Sequence, residues 1–221
     1  MMQNNRDYID IYCERVSGDF LAEPLNAITN LAFIVVGLFI LKGESFSGRI
    51  LGVVTILVGL GSLTFHTFAT TWAATLDVGF IALFILVFAY LVPLKLWNLS
   101  VVQSILCAVL VIGVVFLFDT LTPELKKWLG HFPPGIYVGA WLSLVSLGLI
   151  SNILKVKEAT RWMFFAICLF PFSLLARESD LAFCDTFPFG THWLWHLLNS
   201  LVLGFCSFAF HAQYKKELKK I

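Results

Sequence analysis

Residues 188–213 read PFGTHWLWHLLNSLVLGFCSFAFHAQ, a run without one Asp, Glu, Lys or Arg. At about 1.5 Å rise per residue a helix of this length outreaches a hydrocarbon layer of about 30 Å. The run nevertheless holds His192 and His196, which sit one turn apart on the same helical face. An apolar span that carries paired imidazoles at membrane depth reads as a membrane helix with a site on it, because such groups need a partner, a cavity or an ion.

Working outward, six more apolar runs precede it, at 24–41, 48–68, 73–97, 100–119, 134–154 and 160–178. The whole chain of 221 residues is 59% hydrophobic and 13% charged, with a mean hydropathy of +0.86, which excludes a soluble globule. Seven spans of about 20 residues leave roughly 80 for loops and tails, too few for a separate soluble domain. The expected fold is therefore an all-α seven-transmembrane bundle forming one domain over 1–221, with an N-terminal segment at 1–23 and a tail at 214–221. The polar, acidic opening MMQNNRDYIDIYCERVSGDFLAE lacks the basic and apolar regions of a cleavable leader and is expected to stay as an ordered or surface-lying segment. Pro93 and Pro171 fall inside spans, where kinks with local re-pairing are expected.

A net charge of +1 provides no electrostatic footprint for nucleic acid. The placement of positive charge is more informative. With seven spans, Arg6, Arg15, Lys126, Lys127 and Arg177 share the N-terminal side. Lys42, Arg49, Lys95, Lys155, Lys157, Arg161, Lys215, Lys216, Lys219 and Lys220 share the other. The positive-inside rule then makes the C-terminus cytoplasmic and the N-terminus non-cytoplasmic. A bacterial inner membrane and an ER or Golgi membrane fit equally.

This topology brings scattered polar residues to one leaflet. His66 lies near the outer end of the second span, which runs outward, in GSLTFHTF, and Asp77, His192 and His196 begin the third and seventh on the same side. Three neutral imidazoles with an open fourth position describe a catalytic zinc site, in which bound water reaches a pKa of about 7. Asp77 is expected as the proton shuttle beside the metal. Ser62, one turn before His66, is expected to support the metal's surroundings or an oxyanion. His211 lies about 22 Å farther along the last span than His196, and His131 lies in a loop beside Pro133 and Pro134; neither is assigned to the site.

Cys107, Cys168 and Cys206 fall within spans and read as buried small hydrophobes. Cys13 and Cys184 both fall on the non-cytoplasmic side, where a disulfide would tie the N-terminal segment to the loop before the histidine helix. Asp7, Asp10, Glu14, Asp19 and Glu23 make the N-terminal segment acidic, without the spacing of an EF-hand loop, and read by themselves as a solvated surface. Arg177, Glu178, Asp180 and Asp185 are expected to pair with one another at the outer end of the sixth span.

Taken together, YCER at 12–15, AEPLNAITN at 22–30, SLTFH at 62–66, the LD ending at Asp77 and GTHWLWH at 190–196 resemble the alkaline ceramidase family. That family belongs to a wider superfamily of seven-span membrane hydrolases that includes the adiponectin receptors. The resemblance runs over essentially the whole chain in motif order. It implies zinc ligands at His66, His192 and His196, a catalytic acid/base at Asp77 with Ser62 assisting, and a Cys13–Cys184 disulfide. It also implies a calcium site in which Glu14 and Glu23 fall on the family's two glutamates. The chain has Ile11-Tyr12-Cys13-Glu14 where the family's ceramidase form has Asp-Trp-Cys-Glu, and its Glu14 to Glu23 stretch is shorter, which brings Asp10 and Asp19 in as substitutes.

The expected activity is an intramembrane zinc-dependent amide hydrolysis that splits a ceramide-like membrane lipid into fatty acid and sphingoid base. The alternative is a seven-span receptor or lipid-binding protein with a structural zinc and little turnover. A transporter is disfavoured by the lack of paired inverted halves, and a serine protease by the lack of a GxSG arrangement around Ser62.

Overall fold

In a computed structural model the chain is described over residues 8–130 and 133–219; Arg6, Asp7, His131 and Lys220 lie outside the described residues. The fold is all-α. Among the described residues eight α-helices follow in order: α1 Pro24–Thr29, α2 Leu31–Leu41, α3 Phe46–Phe68, α4 Thr71–Leu91, α5 Val101–Leu129, α6 Gly135–Ile153, α7 Lys157–Glu178 and α8 His192–Leu218. With α1 and α2 taken as one span interrupted at Asn30, and α4 extended by a π-helical turn at Val92–Leu96, seven segments are long and apolar enough to cross a membrane.

Successive spans pack side by side, and α8 closes the ring against both α7 and α2 while also crossing α3. That makes α3 and α8 the central pair. Over its most apolar window α3 is 61% buried and α5 only 11%, so the longest helix is the one turned outward. Its apolar exterior is what a lipid-facing helix requires.

The expected boundaries hold to within a few residues, with two corrections. Helix α5 runs on to Leu129 rather than stopping near 119. Glu124 and Lys127 pair three residues apart on its exposed surface, and a backbone inside a helix keeps its hydrogen bonds at the membrane edge. Helix α8 likewise continues to Leu218, so most of the tail expected at 214–221 is helix.

The two prolines are accommodated differently. Pro171 cannot donate to the carbonyl of Ile167 four residues earlier, and the Trp141 indole of α6 supplies the missing donor at 3.0 Å. Pro93 lies in the π-helical turn, beyond which Trp97 donates to Ser151 of α6 at 2.9 Å. The cysteines within spans differ from expectation: Cys206 is buried, but Cys107 is only half-buried and Cys168 is exposed. The latter two lie on helices that turn a broad face outward, so an apolar sequence context did not mean an interior position.

Candidate metal centre

Three helices bring polar residues together at one end of the bundle. His66 comes from the last turn of α3, and His192 and His196 from the first two turns of α8. Each offers one ring nitrogen to a common space, the three nitrogens lying within 4.8 Å of one another, and all three side chains are buried. The ring centroids are 4.6–5.1 Å apart. His66 Nε2, His192 Nδ1 and His196 Nε2 have no hydrogen-bond partner although they are shielded from solvent. Buried polar atoms are normally satisfied, so three orphaned nitrogens in one pocket are what a group able to hold a metal ion should show.

Two of the imidazoles are oriented from behind. His66 Nδ1–H donates to Glu23 Oε2 at 2.5 Å. The Thr29 hydroxyl donates to the Leu25 carbonyl at 2.8 Å, so its oxygen accepts from His196 Nδ1–H at 2.9 Å. Both bonds commit Nδ1 as the protonated atom and leave the Nε2 lone pair free. Tyr12 stacks on the third ring, His192, with centroids 3.6 Å apart and planes inclined by 21°.

The N-terminal segment is what supplies these supports. Ile9 N–H donates to Ala69 O at 2.7 Å and Leu21 N–H to Thr67 O at 3.4 Å, laying the segment over the end of α3. Its far side is held by the disulfide between Cys13 and Cys184, with Cα atoms 5.3 Å apart. The reading of a solvated acidic surface is corrected for Glu14 and Glu23, which are 7% and 1% exposed. The Glu14 carboxylate accepts from the N–H groups of Leu25 and Asn26 at 2.7 and 2.8 Å, capping α1 from outside the helix. Burial raises its pKa, against the pull of those two backbone donors. Glu23 takes the Arg15 guanidinium on one oxygen and His66 and Asn26 on the other. Burial pushes its pKa up, and these donors outweigh burial and hold it below the usual carboxylate range. Asp19 bonds Ser17 at the surface. The carboxylates of Glu14 and Glu23 are thus each bonded to groups of the protein itself, and the group of potential metal ligands found among the described residues is His66, His192 and His196.

Asp180 plays a part that the reading of mutually paired charges missed. It is 2% exposed and accepts from Thr191 N and His192 N through Oδ1, at 2.7 and 2.8 Å, and from Cys13 N through Oδ2 at 2.8 Å. One carboxylate thus caps α8 where the first histidine emerges and anchors the disulfide-linked segment. Gly190, at φ +59°, makes the approach, and a Cβ there would strike the Asp180 carboxylate and the Cys13 side chain. Arg177 does pair with Glu178, at 2.6 Å, and its guanidinium also lies over the Tyr137 ring, 5.0 Å from the centroid.

Ser62 and Asp77 line one space with His192 and His196 where α3 meets α4. Gly61 permits this: a Cβ there would fall 3.1 Å from Leu76 O and 3.3 Å from the Asp77 Cα, so α3 and α4 touch backbone to backbone. Asp77 Oδ1 is shielded from solvent and has no hydrogen-bond partner. Tyr12 and Asn199 also line this space. Tyr137, Trp195, Asn199 and Ile81 also border a second space, lined otherwise by side chains such as Phe84, Leu144, Leu147 and Leu203. A polar chamber therefore adjoins an apolar one. His211 is at the opposite end of α8, away from both.

No protein-family model and no curated protein matches the sequence.

Proposed function

We propose that the protein is an intramembrane zinc-dependent amide hydrolase acting on ceramide-like lipids. The observation that carries this reading is the set of three buried, unpartnered histidine nitrogens within 4.8 Å of one another, two of them on residues that line a polar chamber with Asp77 and Ser62. The motif resemblance to the alkaline ceramidases supports the same chemistry. Three imidazoles with an open position suit zinc better than a hard oxygen-seeking cation, and His66, His192 and His196 would hold it. When bound, zinc supplies Lewis acidity and a water that is acidic enough to ionise near neutral pH.

The remaining work belongs to the chain. Asp77 Oδ1, with no donor of its own, takes a proton from the attacking water and passes it to the departing amide nitrogen, so that water and amide give carboxylic acid and free amine. The Ser62 hydroxyl donates to the oxyanion of the tetrahedral stage. Glu23 and Thr29 keep the imidazoles in one tautomer. The apolar space beside Trp195 and Leu144 receives hydrocarbon tails while the scissile bond stays in the polar chamber. In this reading the N-terminus and the site face the non-cytoplasmic side and the C-terminus is cytoplasmic, as the distribution of Lys and Arg requires.

The test combines elemental analysis of detergent-purified chain with turnover of N-acyl sphingoid lipids. The wild type should carry about one zinc per chain and release fatty acid, and His192→Ala with His196→Ala should lose both. Asp77→Asn should retain zinc and lose turnover. Zinc without hydrolysis of any N-acyl lipid would favour a receptor or lipid-binding protein instead.

A further inference from the structure

At the other end of the bundle, a further recess opens between the first turn of α3, the π-helical turn after α4 and the last turns of α8. Gln213, one of its lining residues, lies about 25 Å along α8 from His196, so the recess is separate from the metal centre. Its wall is keyed to α8 by His211: Ser45 N–H donates to His211 Nδ1 at 3.1 Å, and the ring fills a notch that a Cβ at Gly43 or Gly48 would occupy.

The polar lining is divided in two. On one side are donors. Ser47 is 7% exposed, yet its hydroxyl forms no hydrogen bond with any described residue and borders the recess. Lys95 is exposed and makes no ion pair among the described residues. Gly48 N–H is taken by the Ser45 hydroxyl, while the first N–H groups of α3 precede any intrahelical acceptor. A helix N-terminus, a lysine and a free hydroxyl converging on one space are the makings of a phosphate site. On the other side are acceptors. The exposed Glu217 carboxylate borders the recess, and Gln213, which donates to it at 2.9 Å through Nε2, has a buried Oε1 with no donor. Phe46, 71% exposed, stands at the lip among the apolar residues.

We propose that this recess binds a phospholipid headgroup carrying both a phosphate and a primary amine, of the phosphoethanolamine type. The phosphate takes the Lys95, Ser47 and α3 side, and the ammonium donates to Glu217 and Gln213. A quaternary ammonium has no N–H to donate there, and a purely anionic headgroup would meet the Glu217 charge. The recess lies where three membrane-length helices end, at headgroup depth, with Phe46 beside the acyl chains.

The test titrates the full chain in detergent with short-chain phosphatidylethanolamine, phosphatidylcholine, phosphatidylglycerol and inorganic phosphate, read by native mass spectrometry and thermal shift. The ethanolamine lipid should bind about tenfold tighter than the choline or glycerol lipid. Lys95→Gln and Ser47→Ala should weaken it by a similar factor, and Glu217→Gln should remove the preference for ethanolamine over glycerol. Lys95 and Glu217 are exposed, so these variants keep the lipid-free melting of the wild type. Equal binding of all three lipids, a match between inorganic phosphate and the lipid, or unchanged binding by Lys95→Gln would overturn the proposal.

Discussion

Replacing Glu23 with Gln tests whether the N-terminal segment supports the metal centre. Glu23 is the only carboxylate that the described structure gives to Arg15, and both side chains are at most 1% exposed. The substitution keeps the shape, removes the charge and strands a buried guanidinium, which costs about 3–5 kcal/mol. For a chain of this size that is roughly 10 °C or more in melting temperature. It also replaces the carboxylate on His66 Nδ1 with a neutral amide, and losing such a support lowers metal affinity by about 10–100-fold. The assay is a chelator competition for zinc beside a melting curve, both on the full chain in detergent. Thr29→Val provides the parallel on His196 without disturbing an ion pair, should Glu23→Gln fail to fold. Zinc affinity within twofold of wild type in both variants would refute the orienting role.

Further outcomes follow from other residues. Asp180→Ala removes the acceptor of three buried N–H groups and should lower the melting temperature by several degrees, with weaker zinc retention; wild-type values for both would show that the cap is dispensable. Burial raises the Glu14 pKa above its ordinary 4.5, so its stabilising contribution is full below that value and is lost as pH rises through the raised one. The melting difference between wild type and Glu14→Gln should therefore shrink from about pH 4 to 7, and a widening difference would contradict the sign. Ala140→Phe narrows the apolar space and should depress turnover of long-chain N-acyl lipids more than short-chain ones; equal loss on both would place the tails elsewhere.

Much of the site was legible because topology alone moves residues to one leaflet. His66, Asp77 and His192 are far apart in sequence, yet each falls at the same end of its span, and parity of the spans brings those ends together. Cys13 and Cys184 were paired by the same reasoning, and the disulfide is present. Glu14, Glu23 and Asp180 were misread for a common reason. A carboxylate in a polar stretch has the same composition whether it faces water or a buried donor, and the donors here are backbone N–H groups and side chains up to 167 residues away. Tyr12 on His192 and Trp141 on the Ile167 carbonyl left no sequence signal, since aromatic residues abound throughout this chain.

The sequence by itself determined that the chain is an all-α bundle of seven membrane-length helices, because an apolar run about 20 residues long has no other way to satisfy its backbone in hydrocarbon. It also determined which end of the bundle carries the histidines. Only the tertiary structure decided which nitrogen of His66 and His196 is left free, that the N-terminal segment is part of the centre rather than a solvated surface, and that a polar chamber adjoins an apolar one. Those features depend on hydrogen bonds a few ångströms long between groups remote in sequence, and helical periodicity carries no information about them.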